Sequence, residues 1–256
     1  MNPDHPSTQE TPPSPAAQWV QPVVRPVYRP YVTYVLIGIC ILVYLLQAAT
    51  SYFLRIDLPA ALGVKDNNLI MQGQVWRLFT PIFLHGSIIH IGFNMYALFY
   101  LGPTLEKFYG RWRYLGLFLI SGFGGNVISF MFSQYQSLGS STAIFGLLGA
   151  EGVLIYQNRE VFGSIARRAL SQVVIIAVIN LIIGLTPGID NWGHIGGLIG
   201  GTLFAWFGGP LLQKQGLFPP YTLTDGRGKR EAILAGTAVA GLFFFLTIAV
   251  MFMRRG

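Results

Sequence analysis

Five polar side chains lie in or at the ends of apolar stretches of this chain: His85, His90, Asn94, Ser141 and His194. A polar group taken out of water costs free energy unless it is paired, so each is a candidate for function. Together they offer a hydroxyl, imidazoles and an amide donor, the ingredients of nucleophilic catalysis. His90 and Asn94 are four residues apart, one helical turn, and so share a face. Ser141 opens an uncharged run that ends before Arg159, about 27 Å as a helix against a hydrocarbon core of about 30 Å. A helix ending at the inner surface therefore holds Ser141 a few ångströms below the outer one. His194 enters its own apolar run from the same side, about a fourteen-residue descent from Gly208. A serine, a histidine and an amide donor thus meet at one depth, in a pocket open only outward.

The elements that must hold them are membrane helices. The 256 residues are 52% hydrophobic and 11% charged, with a mean hydropathy of +0.52, whereas a soluble domain carries about 25% charge. The net charge of +7 falls between apolar runs, where it orients helices in a bilayer, and so excludes nucleic acid as the partner. One cysteine, Cys40, lies in an apolar run, which excludes an intrachain disulfide and a Cys-based zinc site. Uncharged runs predict seven spans: 31–54, the second part of 78–104, 114–135, 141–157, 169–185, 191–208 and 232–253. Lys and Arg in alternate loops number twelve against five, which predicts a cytoplasmic N-terminus and an outer C-terminus. Residues 1–30 hold eight prolines and read as a disordered cytoplasmic tail. A helical core over 31–210, a cytoplasmic linker over 211–230 and a last helix within 231–256 complete the expected organisation.

Glycine predicts which helices meet. Gly193, Gly197 and Gly201 recur every four residues, and Gly196 with Gly200 form a second row. One side of that helix is nearly without side chains, which permits close backbone approach. The run at 141–157 presents Ala143, Gly146, Gly149 and Ala150 as a matching surface, and packing of the two sets Ser141 beside His194. At this level the bland alternative stays open, in which the glycines only pack and the histidine only caps a helix. Asn126 and Asn180 read as interhelical hydrogen-bonding groups, and Trp76 with Arg77 as interfacial anchors of the long outer loop.

Three segments carry a family resemblance. GSSTAIFGLLGA at 139–150 resembles the serine motif of rhomboid intramembrane proteases, written GxSG, and WRLFTPIFLHGSIIHIGFNMYALFYLG at 76–102 resembles their second-span motif. NWGHIGGLIGG at 191–201 is similar to their sixth-span histidine motif, and Glu106, Gly110 and RWRYL to the entry of their third span. The resemblance implies an all-α polytopic membrane protein: a rhomboid-like six-helix bundle over about 31–210, with an additional C-terminal transmembrane helix. It implies a serine endopeptidase with a two-residue catalytic unit and no third carboxylate member. Ser141 attacks a peptide carbonyl, and His194 takes its proton and returns it to the leaving amine. Asn94, His90 and the backbone N–H of Ser141 meet the oxyanion. By the same resemblance Phe145 packs on the His194 ring, and His85 and Gly139 are supporting residues. No cofactor and no metal are implied. The implied partners are transmembrane protein substrates and the lipid bilayer, and the implied location is a bacterial inner membrane.

One residue departs from the motif: Thr142 stands where glycine is usual, and a β-branched side chain there is expected to narrow the oxyanion site. It is the one feature favouring the alternative, a catalytically silent relative that binds transmembrane clients. A metalloprotease would want HExxH on a helix, and the string does not occur. A transporter would show inverted repeats, and the chain shows none.

Overall fold

The computed structural model describes residues 28–215 and 222–255. Ten helices run α1 (Tyr31–Leu54), α2 (Leu58–Gly63), α3 (Asn67–Met71), α4 (Ile88–Tyr109), α5 (Arg111–Phe132), α6 (Ser141–Gln157), α7 (Arg159–Phe162), α8 (Ile165–Ile183), α9 (Asn191–Gly208) and α10 (Lys229–Met253). Two 3₁₀ turns, Val75–Leu78 and Thr80–Phe83, precede α4. Strands β1 (Leu212–Gln215) and β2 (Thr222–Asp225) pair antiparallel with Leu212 opposite Asp225, so the described part of the expected linker is a hairpin. The expected proline-rich tail lies, up to residue 27, outside the described residues.

The protein is an all-α polytopic membrane bundle. Seven long helices occupy the seven apolar runs, and five of them, α1, α4, α5, α8 and α10, are long and apolar enough to cross a membrane. Helices α6 and α9, of 17 and 18 residues, occupy the expected runs 141–157 and 191–208. Helix α6 is mostly buried, while α9 buries its glycines and His194 and leaves Trp192, Ile199, Trp206 and Phe207 exposed. The outer helices turn Leu42, Phe93, Ile182 and Phe252 outward, as a surface that meets acyl chains must.

Helix limits differ from charge-bounded runs for a physical reason. Helix α4 continues through Pro103 and takes in Glu106, which is fully buried. Its carboxylate accepts from Val32 N at 3.1 Å and Thr33 N at 2.8 Å, so the charge is used on the free N–H groups at the start of α1. Helix α8 starts early enough to carry Arg167 and Arg168, which are exposed and keep their heads in water while the stems lie along apolar surface.

Helices α5, α6 and α9 form the centre, with α10 behind α5 and α9, α8 beside α6, and α1 against α4. Tyr114, Phe118, Leu147 and Ala205 fill the core between them. The two glycine rows of α9 serve different partners. A Cβ at Gly197 or Gly201 would fall on the backbone of Thr142 or Gly146 in α6, and one at Gly196 would come within 2.8 Å of Gly124 O in α5. Helix α9 is thus pressed into a cleft between two helices, where the sequence pattern indicated one.

Candidate active site

Ser141 is the first residue of α6 and His194 the fourth of α9, and both enter from one end of the bundle. Asp190 caps α9: its side chain accepts from Gly193 N at 3.1 Å. The glycine seam then brings His194 Nε2 to 3.0 Å from Ser141 Oγ. The Phe145 ring, one turn into α6, stacks on the His194 imidazole at 4.3 Å and 11°. Among the described residues no protein group meets the other ring nitrogen, His194 Nδ1, so stacking orients this ring where a carboxylate often does.

A second serine–histidine pair lies beside the first, which sequence reasoning missed. His85 Nε2 is 3.2 Å from Ser140 Oγ, and both residues are buried. Burial, and then the neighbouring His90, push the His85 imidazole down to about 4, so it is neutral at physiological pH. Ser140 is fully enclosed while Ser141 is partly open, so only Ser141 is reachable by a second molecule.

His90 is half-buried and meets the His85 ring edge-on at 5.3 Å. Its Nδ1 faces Gly86 N at 3.5 Å, which favours the proton on Nε2. Gly139, at φ +129°, passes under that ring: a Cβ there would lie 2.7 Å from His90 Nε2 and 3.7 Å from Ser141 Oγ. Only glycine adopts this backbone without strain and lets the imidazole approach the serine. Asn94 is buried one turn further along α4, and its Nδ2 donates to His90 O at 3.0 Å, leaving one amide hydrogen uncommitted. Among the described residues no hydrogen bond joins Asn94 to Ser141.

Thr142 packs between helices. Its side chain fills a notch between two glycines: a Cβ at Gly125 would lie 2.6 Å from Thr142 Cβ, and one at Gly193 would lie 3.0 Å from Thr142 Cγ2. The β-branched group is therefore used in packing α6 against α5 and α9. Arg77 and Trp76 anchor the long outer loop, Arg77 from a buried position by donating to Val64 O at 2.9 Å and Ala61 O at 2.7 Å, and the half-exposed Trp76 by donating to Leu62 O at 3.0 Å. Asn126 bonds to Leu78 O at 3.0 Å, and Asn180 to Ile176 O of its own helix at 2.8 Å, so neither joins two long helices.

The other residue that sequence reasoning missed is Lys65. It is fully buried and donates to the carbonyls of Ser129, Ser133 and Tyr135 at 3.3, 3.0 and 3.0 Å, at the carboxyl end of α5. Its position between a buried helix end and a capping Asp66 has no periodic signature. Asp66 and Asp190 cap the helices they directly precede.

A rhomboid-domain family model matches residues 72–211. The rhomboid protease GluP of Bacillus subtilis (strain 168) is 38% identical over 218 residues, 85% of this chain and 41% of GluP. The mitochondrial RHOMBOID-like protein 6 of Arabidopsis thaliana is 36% identical over 192 residues, 74% of this chain and 62% of that protein. The chloroplastic RHOMBOID-like protein 9 of the same plant is 33% identical over 178 residues, 69% of this chain and 41% of that protein. The chain thus spans between 41% and 62% of the length of these relatives. With the helical bundle and these matches together, the chain belongs to the rhomboid family.

Proposed function

We propose that this protein is an intramembrane serine endopeptidase that cuts transmembrane helices of membrane proteins near their outer end. The observation that carries this reading is the 3.0 Å approach of His194 Nε2 to Ser141 Oγ inside a membrane bundle. Ser141 Oγ attacks the scissile carbonyl as Nε2 takes its proton, and the imidazolium returns that proton to the leaving amine. His90 Nε2–H, the uncommitted Asn94 amide hydrogen and the Ser141 N–H at the positive end of α6 are the donors for the oxyanion. The substrate strand must be extended, because a helix keeps its carbonyls bonded. The end of the bundle without the site carries Arg111, Arg113, Arg167, Arg168 and Arg227, which supports a cytoplasmic placement for it and for the N-terminus. A bacterial inner membrane is the location proposed.

A serine-directed phosphonate tests the reading directly. Wild-type protein is expected to carry the label on Ser141. Label on Ser140 instead would move the mechanism to the His85 pair and overturn the assignment.

The notch-filling role of Thr142 has its own test. Thr142→Gly should keep cleavage at or above the wild-type rate, while losing about 1–3 kcal/mol of stability through the void and the helix glycine. A large loss of rate in a folded protein would mean that the hydroxyl contributes to the chemistry.

A further inference from the structure

We infer that Lys65 is a positioning residue that holds the two arms of the Ser141–His194 unit in register, an inference that rests on the reading above. Helix α5 ends at Phe132, and its last carbonyls carry the negative end of the helix dipole. The Lys65 ammonium has three donors, and Ser129, Ser133 and Tyr135 supply three carbonyls. Every donor is used.

From this cation two short paths lead to the site. The first reaches the serine. Lys65 exchanges backbone hydrogen bonds with Ser137, N to O at 3.0 Å and O from N at 3.2 Å. Asn67 Nδ2 donates to Ser133 O at 2.9 Å, and Gln136 Nε2 to Asp66 at 2.6 Å. Residues 65–67 therefore grip 133–137, and Ser141 follows four residues later. The second path reaches the histidine. Ser129, whose carbonyl accepts from Lys65, donates its Oγ in a short bond to Asp190 Oδ2. The other oxygen of Asp190 caps α9, and its backbone carbonyl accepts from His194 N at 3.2 Å.

The charge is part of the device. A neutral side chain of the same length would strip Tyr135 O of its lysine donor, leave Ser129 O and Ser133 O with Ser133 N and Asn67 Nδ2 alone, and remove a cation that faces the Asp190 carboxylate. The charged groups facing Lys65 are Asp66 from its own loop, Asp190 from α9 and Arg254 from α10, while α5 presents carbonyls and hydroxyls. Burial, the largest influence, lowers the Lys65 ammonium to about 8, with Asp190 opposing. Above that pH the amine keeps two donors for three carbonyls.

The test compares full-length wild type, Lys65→Met, Asp190→Asn and the double variant in liposomes on a fluorogenic transmembrane peptide. Lys65→Met is expected to lower kcat on the order of 10–100-fold with KM nearly unchanged, as a misplaced reacting group does. Asp190→Asn keeps a good helix cap and so isolates the charge. The double variant should be no slower than the slower single, because the two act through one chain. Wild-type kcat should fall as pH rises through about 8, and Lys65→Met should lack that limb. Unfolding does not explain such a fall. With the folded-state value below the unfolded 10.5, the unfolded chain binds the extra proton between the two, so this group raises stability as pH rises there. Wild-type kcat in Lys65→Met, or additive losses in the double variant, overturns the inference and leaves the protease reading standing. If Lys65→Met does not fold, wild-type kcat in Asp190→Asn overturns it alone. A wild-type protein that neither cleaves nor takes the phosphonate label defeats the reading itself, and this inference with it.

Discussion

Ser141→Ala and His194→Ala are each expected to reduce cleavage of a transmembrane substrate to background. A serine hydroxyl is neutral and weakly nucleophilic at physiological pH, and the base in hydrogen-bond contact with Ser141 Oγ is His194 Nε2 at 3.0 Å. Removing either partner disables the same step, so the double variant should be no worse than the singles. Asn94→Ala should behave differently. It removes one of several proposed oxyanion donors, a loss on the order of 10²–10³ in rate by the precedent of soluble serine proteases. Gel analysis of substrate and product in liposomes separates these classes. A His194→Ala protein that cuts at the wild-type rate would end the mechanism, while the helical architecture would stand.

Gly197→Ala is expected to disable the protein nearly as thoroughly without touching a reacting atom. The new methyl group would fall on the Thr142 carbonyl, which is backbone and cannot swing aside, so α9 must move off α6. His194 lies three residues earlier on that helix and moves with it. A displacement of about 1 Å at a reacting group costs on the order of 10² in rate, and overpacking of this kind costs about 1–3 kcal/mol. Gly38→Ala in α1 and Gly241→Ala in α10 are the controls, because no atom lies within 4 Å of a Cβ at either. Thermal unfolding and the rate of phosphonate labelling, measured on all three, give the comparison. Equal labelling of Gly197→Ala and wild type would refute the claim that the seam sets the dyad.

The helices were legible because lipid imposes one rule, that a spanning backbone satisfies itself, and uncharged runs mark where it applies. Their ends were less legible because charge was taken as a boundary. Glu106 sits inside α4 since the start of α1 needs an acceptor, and nothing local at Glu106 reports a demand made by residues 32 and 33. The approach of Ser141 to His194 could be argued from glycine spacing. That the second row at Gly196 and Gly200 addresses α5 and α10 could not, since spacing gives a face and never its partner. Thr142 shows the same limit: its residue type suggested crowding at the site, and only the glycines opposite, Gly125 and Gly193, show where its methyl group goes. Lys65 and Ser140 were invisible for a related reason, because their partners are carbonyls and a histidine from distant segments.

Phe243 of α10 occupies the hollow left by Gly124 and Gly200, with ring atoms 2.7 and 3.2 Å from where their side chains would begin. Ala235 closes on Gly208 in the same way at 3.0 Å. The back of α9, the helix that carries His194, is therefore finished by residues that leave the ribosome after every other part of the bundle. A nascent chain with six long helices in place already contains its serine and its histidine, yet the wall that presses one toward the other is still missing. Docking of α10 is thus the step that finishes this wall.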